Sequence, residues 1–160
     1  MNDNARFKRI RSVAEAIVSR LGHRAPAWAV LKIEETPHLA PEDADENTIA
    51  FGSWYPAEPN QIPSVQPRSI SVTLGVPNDS SHVPVTSYFS LDVPEADAIV
   101  ALASQIQDHA IEMTWGLPVP PCPGHSHPLA PRVFDGVAVW ECPEAPDHYR
   151  TRIYPPNDDG

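Results

Sequence analysis

RSISVTLGVPNDSSHVPVTSYFSLDV, residues Arg68 to Val93, decides the fold. In its first half Ile70, Val72, Leu74 and Val76 alternate with Ser69, Ser71 and Thr73. In its second half Val83, Val85, Phe89, Leu91 and Val93 alternate with Thr86, Tyr88 and Ser90. Period-two alternation sends successive side chains to opposite faces, so each half reads as a strand with one covered and one wet face, as in an antiparallel sheet. PNDSSH between them is turn chemistry, and the pair is predicted to form a hairpin.

Helices flank this hairpin. Downstream, Ile99, Leu102, Ala103, Ile106, Ala110 and Met113 recur at helical spacing, with Gly116 and Pro118 to stop the helix. Asp92 with Glu95 fits a capping box, and Pro94 sits in the permissive first turn. Near the N-terminus Phe7, Ile10, Ala14, Ile17, Val18 and Leu21 make a second apolar stripe, ended by Gly22. AWAVLKIEE (Ala27–Glu35) and TIAFGSWY (Thr48–Tyr55) are β-rich and read as two further strands. GVAVWEC (Gly136–Cys142) and HYRTRIY (His148–Tyr154) read as a small C-terminal hairpin. Strands that run together with helices at each end indicate α+β rather than alternating βαβ. The expected architecture is an antiparallel sheet of about four strands with two helices on one face, plus a small C-terminal metal-stapled β-hairpin. The expected division is an α+β body over residues 1–117 and a proline-rich, zinc-ribbon-like hairpin over 118–160, packed on the body by Trp115 and Trp140.

Composition narrows the function classes. Twenty of the 160 residues are proline, against a usual ~5%, and they stiffen the stretches Pro37–Pro67 and Pro118–Pro146. The net charge is −10. Residues 1–24 hold six basic and two acidic side chains, leaving five against nineteen for the rest. So acidic a body repels phosphate, which excludes nucleic acid as its partner. No apolar run approaches the ~20 residues of a membrane span, and the N-terminus has no secretory h-region. A cytoplasmic protein with reduced thiols is expected.

The chemistry-bearing residues gather at the C-terminal end. PPCPGHSHPL (Pro120–Leu129) places Cys122, His125 and His127 together, and VWECPEAPDH (Val139–His148) adds Cys142 and His148. Zinc takes four nitrogen or sulfur ligands, commonly as two close pairs brought together by a hairpin. Cys122-x2-His125 is a good first pair, with proline and glycine between its members to make a tight turn. Cys142 would be the third ligand, and the fourth is His127 or His148. The competing readings are no metal and a Cys122–Cys142 disulfide, the latter ranking last because nothing points to export. Glu141 and Glu144 flank Cys142 and would supply a carboxylate if the metal were catalytic. A short hairpin with little core of its own favours a structural ion. The acidic loop Glu42, Asp43, Asp45 and Glu46 lacks EF-hand spacing and reads as solvated. No nucleophile elbow, phosphate loop or dinucleotide fingerprint is present.

Taken together, Trp115, Cys122-Pro123, His125, His127-Pro128-Leu129, Asp135-Gly136 and Ala138-Val139-Trp140 to Cys142-Pro143 resemble a group of small uncharacterised proteins of high-GC Gram-positive bacteria. The resemblance implies a zinc-ribbon-like hairpin. In outline the element order is also similar to bacterial secretion chaperones and to phage tail-completion proteins. The expected function is therefore a non-enzymatic interaction, adaptor or chaperone-like protein with a structural zinc at Cys122, His125, Cys142 and His127 or His148. Its expected partner is another protein or a second copy, not nucleic acid or a membrane, docking on a sheet edge, the basic helix face or the wet face of the hairpin. The alternatives are a metal-dependent hydrolase using the same ligands and a metal-free component of a phage-like particle.

Overall fold

The computed structural model describes residues 3–36 and 68–155. The strand expected at Thr48–Tyr55 and the acidic loop before it lie outside the described residues. Helix α1 (Asp3–Leu21) buries Ile10, Val13, Ala14, Ile17 and Leu21. Gly22 follows at φ +85°, the left-handed conformation that lets the chain leave a helix without Cβ strain.

Three strands, β1 (Ala29–Glu35), β2 (Ser69–Gly75) and β3 (Val85–Ser90), form the first antiparallel sheet in the order β1-β2-β3. The register sets Ile70 opposite Phe89 and Leu74 opposite Val85, and Ile70, Val72, Leu74 and Phe89 are buried. The covered face predicted for β2 holds, but on the face expected to be wet Ser71 is also buried, its hydroxyl donating to Glu34 O (3.2 Å). The alternation of the second half holds only within the strand, since Val83 is 80% exposed and Val93 46%. Both valines lie beyond the paired residues, next to prolines that cannot donate to a ladder. A bulge in β1 leaves Leu31 without a partner. Its side chain occupies the space over Gly75, where an added Cβ would come within 2.5 Å of Leu31 Cδ1. Arg11 reaches from α1 to donate to the Val30 carbonyl beside the bulge (2.8 Å).

Helix α2 (Glu95–Met113) packs against α1, β3 and the C-terminal strands. The expected capping box does not form. Pro94 is the N-cap and no side chain caps the helix. Asp92 instead accepts the Arg68 amide at 2.6 Å, and Glu95 pairs with Arg9 of α1. Both carboxylates bridge elements rather than serve their own helix. Two glutamines of α2 also bond to backbone beyond it. Gln105 lines up with the outer edge of β3, accepting from Tyr88 N (2.9 Å) and donating to Tyr88 O (3.0 Å). Gln107, which is buried, donates to the carbonyls of Val119 (3.0 Å) and Leu129 (2.6 Å).

The C-terminal region is a second three-stranded antiparallel sheet, not a two-stranded hairpin. Strands β4 (Ala130–Phe134), β5 (Val137–Glu141) and β6 (Arg150–Arg152) pair in the order β4-β5-β6. The expected hairpin survives as β5–β6, and β4 was not foreseen. Pro131 breaks the strand pattern in the sequence. It is tolerated because β4 is an edge strand. The fold is therefore α+β with two helices and two three-stranded sheets among the described residues. One cluster of buried side chains runs from Ile10 of α1 through α2 to Trp140 and Ile153. No described helix is long and apolar enough to cross a membrane.

The two tryptophans expected to seat the C-terminal strands part company. Trp140 is fully buried, but Trp115 is 97% exposed. Gly116 N donates to Ile111 O (2.9 Å), closing a wide turn at the end of α2. Trp115 sits inside that turn at φ 57°, in the position where glycine is favoured, so its ring is carried away from the core. A bulky residue there costs about 1–2 kcal/mol in backbone strain. Trp115→Gly is expected to raise stability by about 0.5–1 kcal/mol, allowing for the greater freedom of glycine in the unfolded chain. Urea unfolding measures it, and a loss of stability would show that the ring makes contacts that offset the strain.

Candidate metal centre

The site is built from two corners that both begin Cys-Pro. At the first, His125 N donates to Cys122 O (3.2 Å), with Pro123 and Gly124 between. Proline fixes the first central position, and Gly124 takes the second at φ +78°, the pattern of a type II turn. The flanks are closed by Cys122 N to His127 O (3.2 Å) and Leu129 N to Pro120 O (2.9 Å). The loop thus presents Cys122, His125 and His127 from one rigid tip. At the second corner Cys142 directly follows β5, and its amide donates to Tyr149 O (3.0 Å). Ala145 N then donates to Cys142 Sγ (3.3 Å).

The two corners converge. One ligand atom each from Cys122, His125, His127 and Cys142 lies within 4.8 Å of all the others. His125 Nδ1 is 3.5 Å from Cys122 Sγ and 3.4 Å from Cys142 Sγ. His127 Nε2 is 3.8 Å from Cys142 Sγ. A tetrahedron with zinc-like bond lengths has sulfur–nitrogen edges of about 3.6 Å, so these separations bracket the expected value. Both cysteines are buried and free, so the competing disulfide is not formed. The sulfurs face the core, His125 is exposed and His127 half-buried. Burial pushes the Cys122 thiol up, and the neighbouring Cys142 and the Glu144 carboxylate push it the same way.

The choice between His127 and His148 falls to geometry. His127 Nδ1 lies 3.0 Å from the Pro128 carbonyl. That bond holds the proton on Nδ1 and leaves the Nε2 lone pair facing the cluster. His148 stands one layer further out. Its Nε2 donates to Pro123 O, its ring stacks on His125 at 4.4 Å between centroids, and it covers Gly124. His148 therefore braces the turn that carries His125 and is not among the four clustered donors. Nothing in the spacing revealed this, because it depends on which ring nitrogen a carbonyl engages. The flanking carboxylates also differ. Glu141 is held by Arg150 Nε at 2.7 Å. Glu144 is mostly exposed, with Oε2 3.6 Å from His127 Nε2.

No family model, curated protein or solved structure matches this chain.

Proposed function

We propose that Cys122, His125, His127 and Cys142 hold one structural zinc ion, and that the chain is a non-enzymatic interaction protein whose second sheet is stapled by that ion. The observation that carries this reading is the convergence of four donors, two sulfur and two nitrogen, from two Cys-Pro corners. Two thiolates with two imidazoles suit zinc among the divalent metals available to a cell. Four protein donors fill a tetrahedral shell and leave no position for a substrate or an activated water. A hydrolase reading is favoured only by Glu144, whose carboxylate stands near His127. It requires one histidine to yield its place to water.

Native mass measurement of the intact protein is expected to give one zinc per chain. Chelation is expected to lower the melting temperature by about 10 °C, the shift for a ligand held near 1,000 times its Kd. Protons compete for the same lone pairs, so metal affinity is expected to rise with pH and the ion to be lost in acid. The metal-free protein should behave in the opposite sense. Burial and the neighbouring Cys142 penalise its Cys122 thiolate, so stability is kept below the ordinary thiol range and falls as pH rises through it. A chelator that leaves melting unchanged, with the protein in rings or larger oligomers, would favour a metal-free assembly component instead. A cobalt-substituted spectrum showing bound water would favour the hydrolase.

A further inference from the structure

We propose that the outer face of the second sheet is a docking groove for an acidic peptide segment of a partner protein, with Arg132 and Arg152 as its carboxylate-binding groups. This rests on the interaction reading above and gives the partner its chemistry. Cross-strand pairs share a face, so the register assigns the side chains. Arg132 pairs with Val139 and Val139 with Arg152, Phe134 with Val137, and Glu141 with Arg150. All of these project away from Trp140 and Ala138, which enter the core on the opposite face.

Three arginines therefore stand on one face, within a chain of net charge −10. Their states differ. Arg150 is bonded to Glu141 at 2.7 Å, and its guanidinium lies 3.6 Å over the Phe134 ring. Arg132 and Arg152 are exposed and make no ion pair among the described residues. Val139 lies between them, only 4% exposed although it sits on the outer face. Arginine stems cover apolar neighbours in this way while keeping their heads in water. A groove of about 260 Å³ runs here, lined by Phe134, Val137 and Val139 with Arg150 and Arg152 beside them. Phe134 itself is 48% exposed. An apolar floor beside the exposed guanidinium of Arg152, with Arg132 across Val139 on the same face, suits a chain that offers carboxylates on either side of an apolar side chain.

The geometry favours carboxylates over phosphate. Arg132 and Arg152 stand on strands either side of β5, about 9.6 Å apart at the backbone. Two carboxylates on an extended peptide can each take one guanidinium across that span. A free phosphate can reach the same guanidinium groups, but it has no apolar part to place on Phe134, Val137 and Val139, whereas a peptide with an apolar side chain between its carboxylates does.

The test uses the full-length, metal-loaded protein and a dye-labelled hexapeptide with glutamate, leucine and glutamate at alternate positions. Anisotropy is expected to show binding that weakens with salt. Replacing both glutamates by glutamine, or making Arg132→Gln with Arg152→Gln, should each weaken it tenfold or more. Arg24→Gln, on an exposed turn beyond α1, should leave it unchanged. Failure of the wild-type protein to bind, equal binding of the glutamine peptide, or full binding by the double variant would overturn the proposal. So would displacement by inorganic phosphate as effective as by unlabelled peptide. Native mass on the same samples separates this outcome from the metal reading. A double variant that keeps its ion but loses the peptide supports the groove, whereas peptide binding without any ion would overturn the staple alone.

Discussion

Cys142→Ser is expected to abolish metal binding and to lower the melting temperature by about 10 °C. Cys142 is fully buried and, among the described residues, is the one member of the four-residue cluster that comes from the second corner. A serine hydroxyl does not supply the thiolate that a zinc-type site requires, and it leaves a polar group in a buried position. The damage should be local. Amide exchange is expected to rise in β5, β6 and residues 120–129, while the β2–β3 ladder keeps its protection. His127→Ala should also release the ion. His148→Ala should retain the ion at reduced affinity, because that ring supports His125 without joining the cluster. Second-layer partners of this kind typically change affinity by about 10–100-fold. His82→Ala, in the distant turn between β2 and β3, should change neither property. Full metal occupancy in Cys142→Ser, measured by elemental analysis, would end the four-donor reading.

Trp140→Ala should be as damaging to the fold. Its indole is the largest fully buried side chain among the described residues, on the inner face of β5. Removing a buried aromatic of this size costs about 3–5 kcal/mol, combining lost burial with the cavity left behind. The indole N–H has no hydrogen-bond partner among the described residues, so Trp140→Phe forfeits no bond made there. It should cost less than half as much as the alanine variant. Denaturant unfolding of both proteins with metal bound measures the two losses. If phenylalanine proves as costly as alanine, the indole nitrogen contributes an interaction that the apolar packing argument omits.

Most of the first sheet and both helices were legible, because long apolar stripes and strict alternation are signals carried by many residues at once. Ile70, Val72 and Leu74, and the α2 stripe from Ile99 to Ala110, are buried as their spacing required. Strand β4 was illegible because its burial is slight, so hydrophobic selection leaves little pattern, and Pro131 argues against a strand on local grounds. The capping box failed for a different reason. Asp92 and Glu95 had better partners in Arg68 and Arg9, and both of those lie far away in sequence. Trp115 misled because aromatic residues are usually read as core, whereas its backbone conformation turns it outward. At the candidate metal centre the closeness of Cys122 and His125 was readable from Cys122-x2-His125. That His127 and not His148 joins the cluster depends on how the folded loop places the two rings.

The Gln105 amide has a consequence for assembly. A terminal strand of a sheet exposes donors and acceptors that invite another chain to extend the ladder. On β3 the side-chain amide of Gln105 takes up the N–H and the carbonyl of Tyr88 together, imitating one residue of an incoming strand. Growth of fibrils or swapped dimers from this border must first displace a helix-borne mimic.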